Sequence, residues 1–446
     1  MIFDRAGEAI PIGFKAAAEK KQELSRYSQS RQEYAAYQAA QGKELVKRDT
    51  APPVIDFIRL DNDSRVSNKV ILAYLKIKEG QHLDVANLEK DIGKVYGLEL
   101  FENITYELVE EEGRTGALIH VKGRSWGPNY IQPGVVLSSN QDGDSAFVLA
   151  LAYTRTAINR LDGEWRTVFQ IGQTPLIFTE LYQPLDVNSR YFINPRLIFG
   201  QQNYALYTSG GDRIAEYRVL RYGIDFAGGR EFGTWGEVRV GIRRLRGKAE
   251  VKTGDPSLPD YDYNRGELYL RLAVDKLDNV DFPREGYSGL IEYSSSQKAL
   301  GADSSFDQLF GNLTFAKSWD RNTLLAGGRL DSTIDNNAPI QNRFQLGGLF
   351  NLSGFNEDEL SGQQLALLLL GYMRRIGDFN LMPTYIGATL ESGNVWENKD
   401  DIDFGNLLLA GSLFIGVDTF LGPVYLGYGL AEHDNSSFYF YLGKIF

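Results

Sequence analysis

From residue 130 onward the chain alternates apolar and polar side chains with a period of two, in segments of about ten residues. Residues 237–242 set Val238, Val240 and Ile242 on one face and Glu237 and Arg239 on the other. Residues 267–275 oppose Leu268, Leu270, Leu272 and Val274 to Glu267, Arg271 and Asp275. Residues 218–226 oppose Leu220, Tyr222, Ile224 and Phe226 to Arg221 and Asp225. Successive side chains of a strand leave opposite faces of the pleat, which produces this period. Two packed sheets would need apolar residues on their inner faces. Charged inner positions in strand after strand suit a closed sheet with a wet interior and lipid outside. Roughly sixteen such segments fit, each long enough for a tilted strand to cross a bilayer. Connections alternate between short, as at 319–322 and 420–423, and long, as at 200–212, 248–260 and 333–362. Short turns on one side and long loops on the other mark transmembrane barrels. The expected fold is mostly β, with a 16-stranded antiparallel transmembrane β-barrel over residues 126–446.

Upstream the period changes. Residues 1–52 read as a helical segment and linker, with Phe3, Ala6, Ile10, Phe14 and Ala17 near helical spacing and Pro11 interrupting them. Ser30, three residues before Glu33, is a capping box that predicts a second helix through Gln41, ended by Gly42. Such short helices cannot bury their apolar stripe alone, so they read as the tail of an upstream domain. Residues 43–53, KELVKRDTAPP, read as a charged linker. Residues 53–125 predict a small α/β unit: a strand at 54–60, a helix at 67–75, a second helix capped by Asp84, and strands at 104–109 and 117–121 turned at Glu112-Gly113.

Composition narrows the reading. A chain of 446 residues holds two or three domains, or one large barrel with appendages. A net charge of -11 predicts no broad basic face, and no nucleic-acid partner is expected. No apolar run reaches about 18 residues, so no transmembrane helix is predicted. A mean hydropathy of -0.29 is compatible with a barrel, whose lipid-facing and lumen-facing residues alternate. The 25 Tyr, 25 Phe and 5 Trp can furnish aromatic girdles at both membrane interfaces. There is no cysteine, which removes disulfides and thiolate-bound metal and suits passage through an oxidising periplasm. Residues 1–20 show no basic start followed by an apolar run, so an export signal is expected upstream.

Residues 346–375, LGGLFNLSGFNEDELSGQQLALLLLGYMRR, join a long Gly- and Asn-rich loop to an abrupt apolar strand at 364–373. Loops of this length are uncommon in compact domains. This one makes sense folded into a wide lumen, where Gly347, Gly348, Gly354 and Gly362 would permit buried bends. The order G-G, N-L-S-G-F, then a strand with G-Y-x-R resembles the sixth outer loop and twelfth strand of the BamA-type outer-membrane barrel superfamily, whose members insert or export proteins across the bacterial outer membrane. The loop motif comprises Gly347, Gly348, Leu352, Ser353, Gly354 and Phe355. Ser353 stands where that family usually has an Arg that anchors the loop to the inner wall, so this anchoring is not carried over.

Further motifs extend the resemblance. Asp275, Asp278, Asn279, Phe282, Pro283 and Gly286 match a D-x-x-D-N…F-P-x-x-G turn and resemble the periplasmic turn between strands eight and nine. Asp and Asn can bond their own backbone, Pro presets φ and Gly permits its reversal, so the expected role is folding geometry. Phe438, Phe440, Leu442, Gly443 and Phe446 resemble the terminal strand that the family presents to the outer-membrane insertion machinery, by strand addition. Barrel closure would pair that strand with the first, which holds Pro133 and Gly134. Pro cannot donate to the ladder and Gly weakens it, so the seam at Pro133, Gly134 and Gly443 reads either as a gate that opens sideways or as a bulge at the rim. Residues 53–125 resemble a POTRA domain through Asp91, Tyr96, Gly97, Leu98 and Phe101, which implies a periplasmic module that lends a sheet edge to unfolded strands. Residues 12–24, IGFKAAAEKKQEL, resemble the last helix of the patatin-like lipases that precede such barrels.

A patatin hydrolase needs a G-x-S-x-G elbow. The chain has none; Gly286-Tyr287-Ser288-Gly289 is one residue short and lies on a predicted strand. His82 and His120 fall in the POTRA-like unit and His433 in the last outer loop, which assembles no site. Asp142-Gly143-Asp144 lacks the ligand count of a calcium loop and reads as a hairpin turn. No catalytic residue, metal or cofactor is expected of this chain. As a whole it resembles the C-terminal translocator portion of a patatin-like type Vd autotransporter with one POTRA domain. That implies an outer-membrane protein with its POTRA domain in the periplasm, which displays its own N-terminal phospholipase passenger by type V secretion. Its implied partners are outer-membrane lipid, the insertion machinery and that passenger. Two alternatives stay open: a BamA/TpsB-like assembly or secretion pore for a separate partner protein, and a passive porin-like channel.

Overall fold

The computed structural model describes residues 6–38, 52–98, 100–141, 145–207, 213–254, 257–379 and 382–444. Sixteen antiparallel strands close into a barrel, from Asn129–Asn140 to Ser436–Lys444. Closure leaves no unpaired edge, the condition for a sheet to span lipid. Among the described residues, the first and last strands pair from Tyr439↔Asn140 to Lys444↔Val135. Gly443 makes this close approach possible: its φ is +96°, and a Cβ there would lie 1.8 Å from the Val135 carbonyl oxygen.

The alternation read from the sequence is the wall of this barrel. Val240, Ile242, Leu268, Leu270, Leu272, Tyr222, Ile224 and Phe226 are exposed on the outside, while Arg239, Asp225 and Glu267 are buried within. The inner charges pair with one another. Arg243 reaches Asp225, Glu267 and Glu292, each at 2.9 Å, and its guanidinium lies 3.9 Å from the centre of the Tyr269 ring. Arg265 bonds Glu267 at 2.6 Å.

Strands five to seven are long: Tyr191–Tyr207, Arg213–Glu231 and Gly236–Gly254 hold 17, 19 and 19 residues. Much of what reads as loop at 200–212 and 248–260 is therefore strand. The hairpins continue because their inner face stays apolar: Tyr217, Val219, Ala249 and Tyr263 form a buried cluster there. The loop between Asn322–Asp335 and Gln364–Phe379, by contrast, is a true excursion.

In the N-terminal region, Arg114–Gly123 lies between Phe57–Asn62 and Phe101–Glu111 in a three-stranded sheet. Helices Asn68–Tyr74 and Val85–Tyr96 occupy the expected places. Ser67 caps the first, and Asp84 accepts the Asn87 N–H at 3.0 Å at the start of the second. The helix Ala6–Glu19 runs through Pro11, where an interruption was expected. The Ala- and Lys-rich residues that follow favour helix strongly enough to continue it. Ser30 and Glu33 form the reciprocal capping box. The expected helix end at Gln41-Gly42, residues 43–51 of the linker, Asp142-Gly143-Asp144 and Phe446 lie outside the described residues.

The Arg243 network supplies a stability test. Arg243→Ala leaves three inward carboxylates without their shared cation and should cost about 3 kcal/mol or more in urea unfolding from detergent micelles. A cost under about 1 kcal/mol would mean that lumen water already solvates these carboxylates.

Candidate functional site

The long loop enters the lumen as a hairpin in which Phe344–Leu346 pairs with Leu360–Gly362. Its tip, residues 347–359, lies flat against the inner wall. Gly354 has φ +108°, and a Cβ there would sit 2.7 Å from the Ala431 amide nitrogen. On the facing strand, Gly422–Ala431, a Cβ at Gly429 would lie 2.6 Å from the Gly354 nitrogen. Backbone packs on backbone because neither glycine has a side chain. Leu346, Leu352 and Phe355 are buried with Leu365, Leu367 and Ala410 of the wall.

A carboxylate holds the tip. Glu391, on the strand Met382–Trp396, is fully buried. Its Oε2 accepts the N–H groups of Leu352 at 2.8 Å and Ser353 at 2.6 Å. Its Oε1 accepts the hydroxyls of Ser353 at 2.8 Å and Thr389 at 2.5 Å. Leu352 adopts φ +75°, and two successive N–H groups converge on one oxygen. The missing Arg therefore does not leave the loop loose. Three hydrogen bonds from the loop to a carboxylate anchor it instead.

The same tip is tied to both strands of the seam. The Tyr439 hydroxyl accepts the Gly354 N–H at 2.8 Å and donates to the Phe355 carbonyl at 2.6 Å. Across the seam, the Asn140 amide donates to Asn356 at 2.9 Å. Pro133 and Gly134 lie beyond the described seam pairs and pair on their other side with Leu151 and Ala150.

From the other mouth, the turn after Tyr261–Asp275 folds inward. Asp278 accepts the N–H groups of Arg284 and Glu285, Asn279 accepts those of Asp281 and Phe282, and Asp275 accepts that of Leu277. Pro283 follows, and Gly286 takes φ +110° where a Cβ would strike the Lys276 carbonyl. The geometry expected of this turn is present, and it serves a further end. Phe282 is buried, stacked on Tyr385 at 4.7 Å and tilted against Tyr425 at 5.1 Å. Phe350 of the long loop meets Tyr425 at 5.3 Å and Phe414 at 5.0 Å. The two plugs thus share one aromatic cluster inside the barrel. Asp281 also receives Lys444 of the last strand at 2.7 Å.

The terminal motif divides by face. Phe438 is exposed to the outside, whereas Tyr439 turns inward to the loop. Gly347, Gly348, Leu352, Ser353, Gly354 and Phe355 come together at the plug, and Phe282 joins them through Phe350. Sequence reasoning missed Glu391, Tyr439 and Asp281. Strand parity marks the first two as inward, but nothing in the sequence says what they meet. His82 and His120 lie on the small sheets and His433 in the turn before the last strand.

A family model described as the Omp85 superfamily domain matches residues 179–445. No curated protein matches the chain. Among solved structures it is similar to BamA from Haemophilus ducreyi lacking POTRA domains 1-3, with a TM-score of 0.69 over 87% of this chain and 84% of that one, at 12% identity. It is also similar to CdiB from Acinetobacter baumannii, with a TM-score of 0.58 over 87% and 73%, at 12% identity. For CdiB from Escherichia coli the TM-score is 0.55 over 88% and 76%, again at 12% identity. At that identity the likeness concerns the fold.

Two substitutions test the plugs. Glu391→Ala leaves three loop donors unpaired and should cost about 2–4 kcal/mol, with faster proteolysis of residues 347–359 and a larger conductance in planar bilayers. Unchanged cleavage and conductance would show that the carboxylate does not restrain the loop. Phe282→Ala should lower stability by about 3–5 kcal/mol in the same unfolding assay; a loss below about 1 kcal/mol would mean that the aromatic cluster closes up without it.

Proposed function

Because this chain belongs to the Omp85 superfamily, we propose that it is the outer-membrane translocator of its own N-terminal passenger, a patatin-like phospholipase, by type V secretion. The barrel fold makes it an outer-membrane protein of the kind that forms a secretion or assembly pore. One observation carries the mechanism: the lumen loop bonds both strands of the seam, through Tyr439 and Asn140. A loop fastened there makes the resting barrel a closed device and favours a gated translocator over a passive channel.

In this reading residues 53–125 form a POTRA domain in the periplasm. Its sheet has edges at Phe57–Asn62 and Phe101–Glu111, and either can pair with an extended segment of the arriving passenger. The passenger then displaces the loop from Tyr439 and Asn140, and the seam is freed to part. Residues 12–24 support the assignment of the passenger, through their resemblance to the last helix of a patatin-like lipase. This chain makes and breaks no bond; hydrolysis belongs to the upstream domain.

Ser139 and Phe440 face each other across the seam, so paired cysteines there form a reversible lock. In cells carrying the full-length protein, oxidation should cut surface display of the passenger at least about tenfold, and reductant should restore it. Equal display in both states removes the gate. Normal display of a separately expressed passenger would instead identify a pore for a partner protein.

A further inference from the structure

The outer surface of the seventh strand, Gly236–Gly254, changes character along its length. At the short-turn end, Trp235 is exposed and stacks on Phe232 at 5.5 Å. Val238, Val240 and Ile242 follow on the outward face, and then Arg244, Arg246 and Lys248. Arg244 lies nine residues beyond Trp235 along the chain. At about 3.3 Å per residue and a tilt of about 40°, this span rises about 23 Å, close to the ~25 Å apolar band of such barrels. The cations therefore begin where acyl chains give way to headgroups, on the side of the long loops.

The sixth strand, Arg213–Glu231, completes the patch. Tyr222 stands opposite Arg246, Leu220 opposite Lys248, and Arg218 is the next outward residue. Arg244 donates to the Gly301 carbonyl, and Lys248 bonds Glu250 at 2.5 Å. Arg218 and Arg246 are exposed, and neither forms an ion pair among the described residues. Three carboxylates adjoin Lys248 on this surface. Glu250, opposite Arg218, bonds it, Asp262 lies opposite it, and Asp260 stands just beyond; all three are farther from the apolar band than Arg246. Like charges at successive outward positions repel unless an anion lies among them. Such a concentration runs against a net charge of -11.

We propose that Arg218, Arg244, Arg246 and Lys248 bind the phosphate groups of a glycolipid headgroup in the outer leaflet. Guanidinium forks match phosphate oxygens, and Ile224, opposite Arg244, with Ile242 and Phe226 on its apolar side, accept the start of its acyl chains. The inference rests on the outer-membrane placement of the barrel and is independent of the passenger.

The test uses the full chain in detergent, with bound lipid read by native mass spectrometry. The probes are a bisphosphorylated diglucosamine lipid and the same lipid with its phosphates removed. Wild type should retain the phosphorylated lipid about tenfold better than R218Q/R246Q, and better than it retains the dephosphorylated form by a similar factor. R218K/R246K should recover most of the binding, which separates lost charge from misfolding, and heat-dependent gel migration checks the barrel of each variant. Equal retention by wild type and a folded R218Q/R246Q overturns the proposal, as does equal retention of the two lipids, the result expected of cations that merely reach for water. Displacement of the lipid by millimolar inorganic phosphate would make this a free-anion site and also overturn it.

Discussion

The closed state of this barrel depends on one buried carboxylate. Glu391 has no solvent contact, and an unpaired charge in that position would be costly. Its oxygens are satisfied by Thr389 of its own strand and by the tip of a loop that arrives from the outer side. The loop conformation follows from that demand. Leu352 must enter the left-handed region to turn two N–H groups the same way, and Gly354 must lie flat on Gly429. The clamp therefore specifies a backbone shape as well as a side chain, which is why the loop is held without an arginine.

The other contacts of the lumen extend from this clamp. Once the tip is fixed, Phe350 reaches the aromatic cluster into which the turn from the opposite mouth inserts Phe282. Neither plug is held by its own hairpin alone. Both also touch the last strand, the loop through Tyr439 and the turn through Lys444. Movement at the seam thus bears on both plugs, and movement of either plug bears on the seam. This coupling is local: it passes through named hydrogen bonds and one ion pair.

How much of this is legible in the sequence depends on what each signal encodes. Parity is explicit, because a one-residue slip moves every side chain to the other face. Val240 and Leu270 could therefore be placed outside, and Arg239 and Glu267 inside, from the sequence alone. The inward plunge of residues 347–359 was readable from glycines in a loop too long for a compact domain. Partners were not readable. Glu391 and Ser353 are 38 residues apart, and no local pattern joins them. Phe282 looked like part of a turn because its Asp, Asn, Pro and Gly neighbours explain the backbone completely; its buried ring depends on strands more than 90 residues away. Strand ends were misplaced at 200–212 and 248–260, where small and charged residues resemble loop although an inward apolar stripe continues.

The last strand shows why the seam and the plugs are hard to separate. Its alternation has one face for lipid and one for the lumen, and both faces are occupied. Phe438 on the outside matches the apolar band, Tyr439 on the inside holds the loop, and Lys444, just past Gly443, reaches the turn. Its backbone edge pairs with the first strand, at a point where only glycine fits. Pulling this strand aside breaks the seam ladder, and also removes the Tyr439 hydroxyl from two loop backbone groups and a lysine from Asp281. Displacing the loop first loses fewer of these bonds together, because the seam ladder stays intact while Tyr439 and Asn140 are released. In the proposed translocator the order of events follows from that difference: the arriving chain competes for the loop's contacts in the lumen, and the seam yields afterwards.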